Sequence, residues 1–271
     1  MLIRLAAVVV VVTAVVALGQ SDRESPRFTI RWYGQAFFTV TTPSGRVVAF
    51  EPHVMPEFPR REKIKADIVC LCHPFADNER LEAAIEDAKN PKRVRVLRGY
   101  KVERPGRPWE WNLLDEKINV GGATYRFRTV GNYRDPENGA QWGKNTSFIA
   151  EIEGITFCHL GFLGHVLSDA ELKAIGPVDV VFVPVGGVYM LNGADAKEVA
   201  ASLKPRRFIF PMAYAVNGQP DSLLAADEFL DGLKSVNYAT DSNEFSFDPQ
   251  TIPQAPTTVV LNWRPGETQK N

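Results

Sequence analysis

The sequence predicts a single α/β domain folded in layers. Two observations carry that expectation. Short strand-like runs separated by turns fill the first part of the chain, and apolar runs alternating with helical patterns fill the second. No internal repeat, low-complexity segment or linker divides the 271 residues.

Ahead of the domain, residues 1–19 read as a targeting segment. Arg4 supplies a positive charge, and residues 5–18 are apolar apart from Thr13. Ala17-Leu18-Gly19 puts small residues where a signal peptidase reads, with cleavage before Gln20. The run is shorter than the ~20 residues that cross a membrane. A secretory signal peptide, giving a secreted or periplasmic protein, is therefore expected ahead of an N-terminal membrane anchor. A polar lead-in over 20–27, a domain over 28–264 and a polar tail over 265–271 complete the expected organisation.

Within the domain, residues 28–32, 36–41 and 46–50 alternate as strands do, with turns at Tyr33-Gly34-Gln35 and Pro43-Ser44-Gly45. Residues 68–71 are an apolar, β-branched run with no Gly or Pro, the pattern of a buried strand. Asp77 or Asn78 can cap a helix over 81–85. A strand over 94–97 follows, then meander strands at Trp111, 118–120 and 125–130, turning at Gly121-Gly122. Residues 132–144 form a polar loop, and 146–151 with 155–158 form a hairpin about Glu153-Gly154. Ser168 and Glu171 make a capping box for a helix reaching Ile175. Strands over 178–183 and 208–210 flank a helix over 194–203; a helix over 223–233 and a strand over 258–261 close the chain.

Composition excludes little but bounds much. A net charge of −1 gives no electrostatic case for a nucleic-acid partner. Three cysteines, Cys70, Cys72 and Cys158, lie in apolar runs and read as buried thiols, not a disulfide framework. Four histidines, His53, His73, His159 and His165, limit any zinc site, because neutral imidazole is the usual hydrolytic ligand. His73, Asp77 and Asn78 stand in a short polar loop after the 68–71 strand, where α/β folds tend to hold chemistry. Trp109, Trp111 and Trp142 lie in or beside neighbouring loops.

Several segments, in order, resemble the metallo-β-lactamase-fold superfamily in its ascorbate-6-phosphate-lactonase-like branch. Ile30-Arg31-Trp32-Tyr33-Gly34-Gln35-Ala36 resembles I-x-W-x-G-H-A, and Glu51-Pro52-His53 resembles D-P-H. Residues 67–78 resemble D-I-V-L-x-T-H-x-H-x-D-H. Gly143-Lys144-Asn145-Thr146 resembles G-x-N-T, and residues 159–165 resemble H-L-G-D-L-G-H. Pro184-Val185-Gly186-Gly187 resembles P-V-G-G, and Pro211-Met212-Ala213-Tyr214 resembles P-M-H-Y. The resemblance implies a four-layer αββα sandwich with a metal site at one edge between the sheets. It also implies one or two ions activating water against an ester, lactone or phosphodiester.

Carried over position by position, the resemblance implies that His73 and Asp77 keep their ligand roles. Phe75, Asn78, Arg134, Phe162 and Ala213 stand where other ligands are expected, and Gln35 and Glu51 replace a flanking histidine and aspartate. Phe has no donor for a cation, and Arg repels one. The expectation is therefore a degenerate site with no metal cofactor, in which Arg134 reaches Asp77 and stands in for the lost positive charge. The function expected is binding or scaffolding through the former cleft of His73, Asp77, Asn78, Arg134, His53, His165, Phe75 and Phe162. The partner would be an unidentified small molecule or protein, with a membrane met only through an uncut signal segment. The alternative is a hydrolase of a small ester, lactone or phosphodiester with one Zn or Mn held by His73, Asp77 and His165.

Overall fold

The computed structural model describes residues 27–59, 62–74, 81–102, 108–216, 223–239 and 241–264. The targeting segment, the polar tail, Phe75, Asp77 and Asn78 lie outside the described residues. Two sheets stack on one another. The first has the order β15-β1-β2-β3-β4-β5, with β1 Phe28–Trp32, β2 Phe38–Thr41, β3 Val47–Phe50, β4 Ile68–Leu71, β5 Arg95–Arg98 and β15 Glu244–Phe247. The second runs β14-β16-β13-β12-β11-β10-β9-β8. Its strands are β8 Asp115–Val120, β9 Ala123–Tyr133, β10 Lys144–Ile152, β11 Ile155–His159, β12 Val180–Pro184, β13 Phe208–Met212, β14 Val236–Ala239 and β16 Thr257–Leu261. A small ribbon, β6 Tyr100–Lys101 and β7 Glu110–Trp111, lies between β5 and β8 in the chain.

β4 explains why the 68–71 run is apolar throughout. It pairs in parallel with β3 and with β5, so it is central. Ile68 and Cys70 join the core between the sheets. Val69 and Leu71 face the other way and join Phe37, Ala49, Leu81 and Ile85. A strand buried on both faces cannot alternate. Helix α1, Leu81–Ala84, supplies Leu81 and Ala84 to that outer cluster. Helix α2, Asp169–Ile175, opens on the Ser168/Glu171 capping box. Helix α3, Gly193–Leu203, lies against β12 and buries Ala196, Val199, Ala200 and Leu203. These layers, with α4 at Asp227–Leu230, make the αββα sandwich.

The inter-sheet core is aromatic. Phe182 of β12 meets Phe38, Phe50 and Phe210 with centroids 4.6, 5.9 and 5.5 Å apart. The expected helix over 223–233 shrinks to the four residues of α4, because Ala226 caps it without a side-chain bond and Gly232 turns left-handed at φ +73°. β14 and β15 have no counterpart in the expected elements. β14 is a polar edge strand, and β15 returns late in the chain to close the open side of β1. β15 does carry the period of a strand, Phe245 and Phe247 facing the core while Glu244 and Ser246 alternate with them.

Phe182→Ala removes the centre of this aromatic seam. It should cost about 3–5 kcal/mol in a urea melt. A loss below about 1 kcal/mol would contradict the packing described.

Candidate functional site

Three non-glycine residues in left-handed backbone conformation lie where strand ends meet: Gln35 (φ +47°), Glu51 (φ +47°) and Ala213 (φ +50°). Each such residue costs on the order of 1 kcal/mol and persists where its surroundings impose it, often at functional sites. The Ala213 amide donates to the Gln35 carbonyl at 3.1 Å, and Trp32 Nε1 donates to the same oxygen at 2.9 Å. The Glu51 carboxylate accepts from the Cys72 amide. The ends of β1, β3, β4 and β13 are thereby tied into one edge, with His73 next in the chain.

The far wall is built by Asn145 and Asp135. Asn145 is fully buried; its Nδ2 donates to Asn132 Oδ1 at 2.5 Å and to the Leu160 carbonyl at 2.8 Å. Its Oδ1 accepts from the Phe162 amide at 2.8 Å, which seats the Phe162 ring. Asp135 organises the loop between β9 and β10. Its carboxylate accepts from the amides of Glu137, Gly139, Gln141 and Trp142 at 3.1, 2.8, 3.2 and 2.6 Å. These bonds hold its carboxyl below the usual range although burial works against them. Arg134, the residue before this anchor, is thus fixed in direction.

Arg134 is 7% exposed. Its guanidinium lies 5.6 Å from the Phe162 ring centroid and 5.3 Å from that of Tyr189. Burial lowers its pKa to about 10, against the raising effects of Tyr189, Asp135 and Glu51. It therefore stays cationic at neutral pH, in a setting where cation–π contacts reach ~2 kcal/mol. Tyr189 stands 6.0 Å from Trp142. His73 meets Trp109 edge-on at 5.4 Å, and burial, followed by the Arg134 charge, pushes its imidazole down to about 3.

The structure brings together His73, Arg134 and Phe162. His165 is adjacent: its Nε2 accepts from the Tyr133 amide at 3.2 Å and its Nδ1 donates to the Val166 carbonyl at 2.9 Å. Both nitrogens meet backbone, and Nε2 also lies 3.5 Å from a Glu171 carboxylate oxygen. His53 is a core residue, edge-on to Phe37 and Phe58, with Nε2 3.0 Å from the Gly34 carbonyl. The expectation that Arg134 reaches Asp77 lies outside the described residues, as do the places of Phe75 and Asn78.

Neither Tyr189 nor a contact between Cys72 and His159 was among the expectations. The Cys72 sulfur lies 3.7 Å from His159 Nδ1. Both are fully buried, and burial followed by the Glu51 charge pushes the thiol well above its ordinary range, so it is no nucleophile. The signal for Tyr189 was its place just after Gly186-Gly187, a turn that leaves a strand at the site edge.

The β-lactamase superfamily domain profile matches residues 29–213. The chain belongs to that superfamily, and its fold is that of the metallo-β-lactamases. A UPF0173 metal-dependent hydrolase of Anaeromyxobacter dehalogenans is 27% identical over 223 residues, 74% of this chain and 81% of that one. One from Thermococcus kodakarensis is 32% identical over 167 residues, 56% of this chain and 69% of that one. A solved structure from the superfamily, from Thermotoga maritima, aligns with TM-score 0.62 and 28% identity, over 87% of this chain and 98% of that one.

The fold family implies metal, so the donor set was compared with what ions need. Among the described residues no group of three His, Cys, Asp or Glu side chains could hold an ion. His73 is neutral and has a lone pair to offer, but the Arg134 cation beside it opposes a second positive charge. The described residues therefore do not fit a two-ion centre.

Two outcomes check this geometry. Asp135→Ala strands four amides and should cost about 3 kcal/mol, with Trp142 emission shifting to the red. His73 and His159 carry pKa values pushed down, to about 3 and about 4. Such groups stabilise the fold above the unfolded-state pKa of ~6.5. That contribution is lost as pH falls toward about 4, the folded-state value of His159. Denaturant melts should weaken over that window, and less steeply in His159→Gln.

Proposed function

We propose that the chain is a hydrolase of the metallo-β-lactamase type, acting at the His73–Arg134 edge on a small ester, lactone or phosphodiester. The observation that carries this reading is the superfamily match over 29–213. The named relatives, called metal-dependent hydrolases, support it. The left-handed frame at Gln35, Glu51 and Ala213 supports it too, because that geometry is costly to keep without use.

The chain's own residues limit how such a hydrolase works. A His73 imidazole at about 3 is a weak base at neutral pH. The Cys72 thiol is inert. Arg134 is suited to hold a carboxylate or phosphate oxygen, or an oxyanion as it forms. A bound ion, Zn or Mn, would supply the activated water that such a hydrolase uses. That ion would be held through His73 and Asp77 at a reduced site.

A second reading is favoured by one observation, the packing of Arg134 between Phe162 and Tyr189. With that cation in the cleft and no ion, the protein would bind a ligand without turning it over. One experiment separates the two. The chain from Gln20 onward is loaded with Zn²⁺ or Mn²⁺, desalted, measured for metal, and assayed on lactone, ester and phosphodiester substrates. Near one ion per chain with turnover, both lost in His73→Ala, is the expected result. Less than about a tenth of an ion per chain with no turnover would leave the binding reading.

We also infer export from the apolar segment at residues 5–18. Mature protein recovered outside the cytoplasm should begin at Gln20; recovery of the full chain in the cytoplasm would contradict this.

A further inference from the structure

A cavity of about 630 Å³ opens beside the cleft, lined by His165, Val166, Val188, Met190, Asp195 and Leu224 among others. That size is within the ~300–1,000 Å³ range of small-molecule sites. It shares a wall with the Arg134 site. Val188 and Met190 line the cavity while Tyr189, between them, stacks on the Arg134 guanidinium. Gly164, on the cavity wall, packs so tightly that a Cβ there would lie 1.9 Å from the Arg134 carbonyl oxygen.

The backbone at Val188 is the telling feature. Its φ is +64°, and it is the one β-branched residue among the described non-glycine residues with positive φ. For such a side chain this is an outlier, with strain on the order of 1–3 kcal/mol. Two other outliers sit at chain reversals: Glu153 turns a hairpin, and Lys204 ends α3. Val188 is the centre of a tight turn in which the Tyr189 amide donates to the Gly187 carbonyl at 2.8 Å, and it is 50% exposed. Leu224, beside it, is 52% exposed and sits over Gly187, where a Cβ would meet its methyl at 2.9 Å. The strained turn thus presents two apolar side chains to an open cavity.

Asp195 is the one carboxylate among the described residues that line the cavity. Asn192 Nδ2 donates to Asp195 Oδ2 at 3.0 Å, and His165 meets the Tyr133 amide, the Val166 carbonyl and, at 3.5 Å, the Glu171 carboxylate. The Asp195 carboxylate keeps acceptor sites beyond the Asn192 bond for a ligand. We propose that this cavity binds the apolar body of a small amphipathic molecule whose ammonium or other donor group meets Asp195. The inference rests on the reading that the adjoining cleft serves a small molecule, and it makes the cavity the site that selects that molecule's body.

The probe is n-hexylammonium, titrated by calorimetry into the chain from Gln20 onward, beside n-hexanol and n-hexanoate. Hexylammonium should saturate at one site, with hexanoate at least about tenfold weaker. Val188→Gly relieves the strain, so its Tm should be unchanged or higher, while hexylammonium binding weakens at least about fivefold. Leu224→Ser should weaken it similarly, and Asp195→Asn should erase the preference for ammonium while hexanol binding persists. No saturable binding, equal binding of hexanoate, or affinities unchanged in Val188→Gly and Leu224→Ser would overturn the proposal. Calorimetry reads this without metal or turnover. Absence of hydrolysis with selective binding retained therefore counts against the hydrolase reading alone.

Discussion

His159 is the pin on which the two sheets close. It leaves β11 in the second sheet and lies flat on Phe50 of the first, at 5.3 Å and 3°. Its Nδ1 accepts from the Gly161 amide at 3.2 Å, so its Nε2 carries the proton and donates to the Ala36 carbonyl at 2.9 Å, in the loop before β2. One neutral tautomer meets both needs. Protonation would put a charge at full burial and break the Nδ1 bond, which is why burial pushes the group to about 4. The same bond fixes the Leu160–Phe162 turn from one side while Asn145 fixes it from the other. Core and site are therefore one construction.

The chemistry of the edge follows from a single buried charge. Arg134 is held in direction by the Asp135 loop and in place by two aromatic faces, and its field reaches His73. A cation built into the chain alters what the cleft tolerates. It disfavours a pair of metal ions and favours an anionic oxygen on the ligand.

Most of the sandwich was legible because its strands carry the patterns that burial imposes. The unbroken apolar run at Ile68–Leu71 announced a strand covered on both faces, and Ser168 with Glu171 announced a helix start. β14 and β15 were missed: β14 is a short, mostly exposed edge strand, whereas the alternation Glu244-Phe245-Ser246-Phe247 was a strand signal of only four residues. At the site, motif order pointed to His73, Arg134 and Phe162, and the structure has the Arg134 guanidinium against Phe162 with its charge felt at His73. It could not give Tyr189, whose role depends on which way a strained turn points. It also offered His53 as a cleft residue, whereas Phe37 and Phe58 enclose it in the core.

The most direct test of this account is the titration of His73 by NMR, in the unaltered chain and in Arg134→Met. The account predicts that His73 stays neutral throughout the folded range of the unaltered chain, with its midpoint moving upward once the guanidinium is gone. A His73 that titrates near the ordinary ~6.5, or one indifferent to Arg134→Met, would contradict the claim that a buried arginine sets the electrostatics of the cleft.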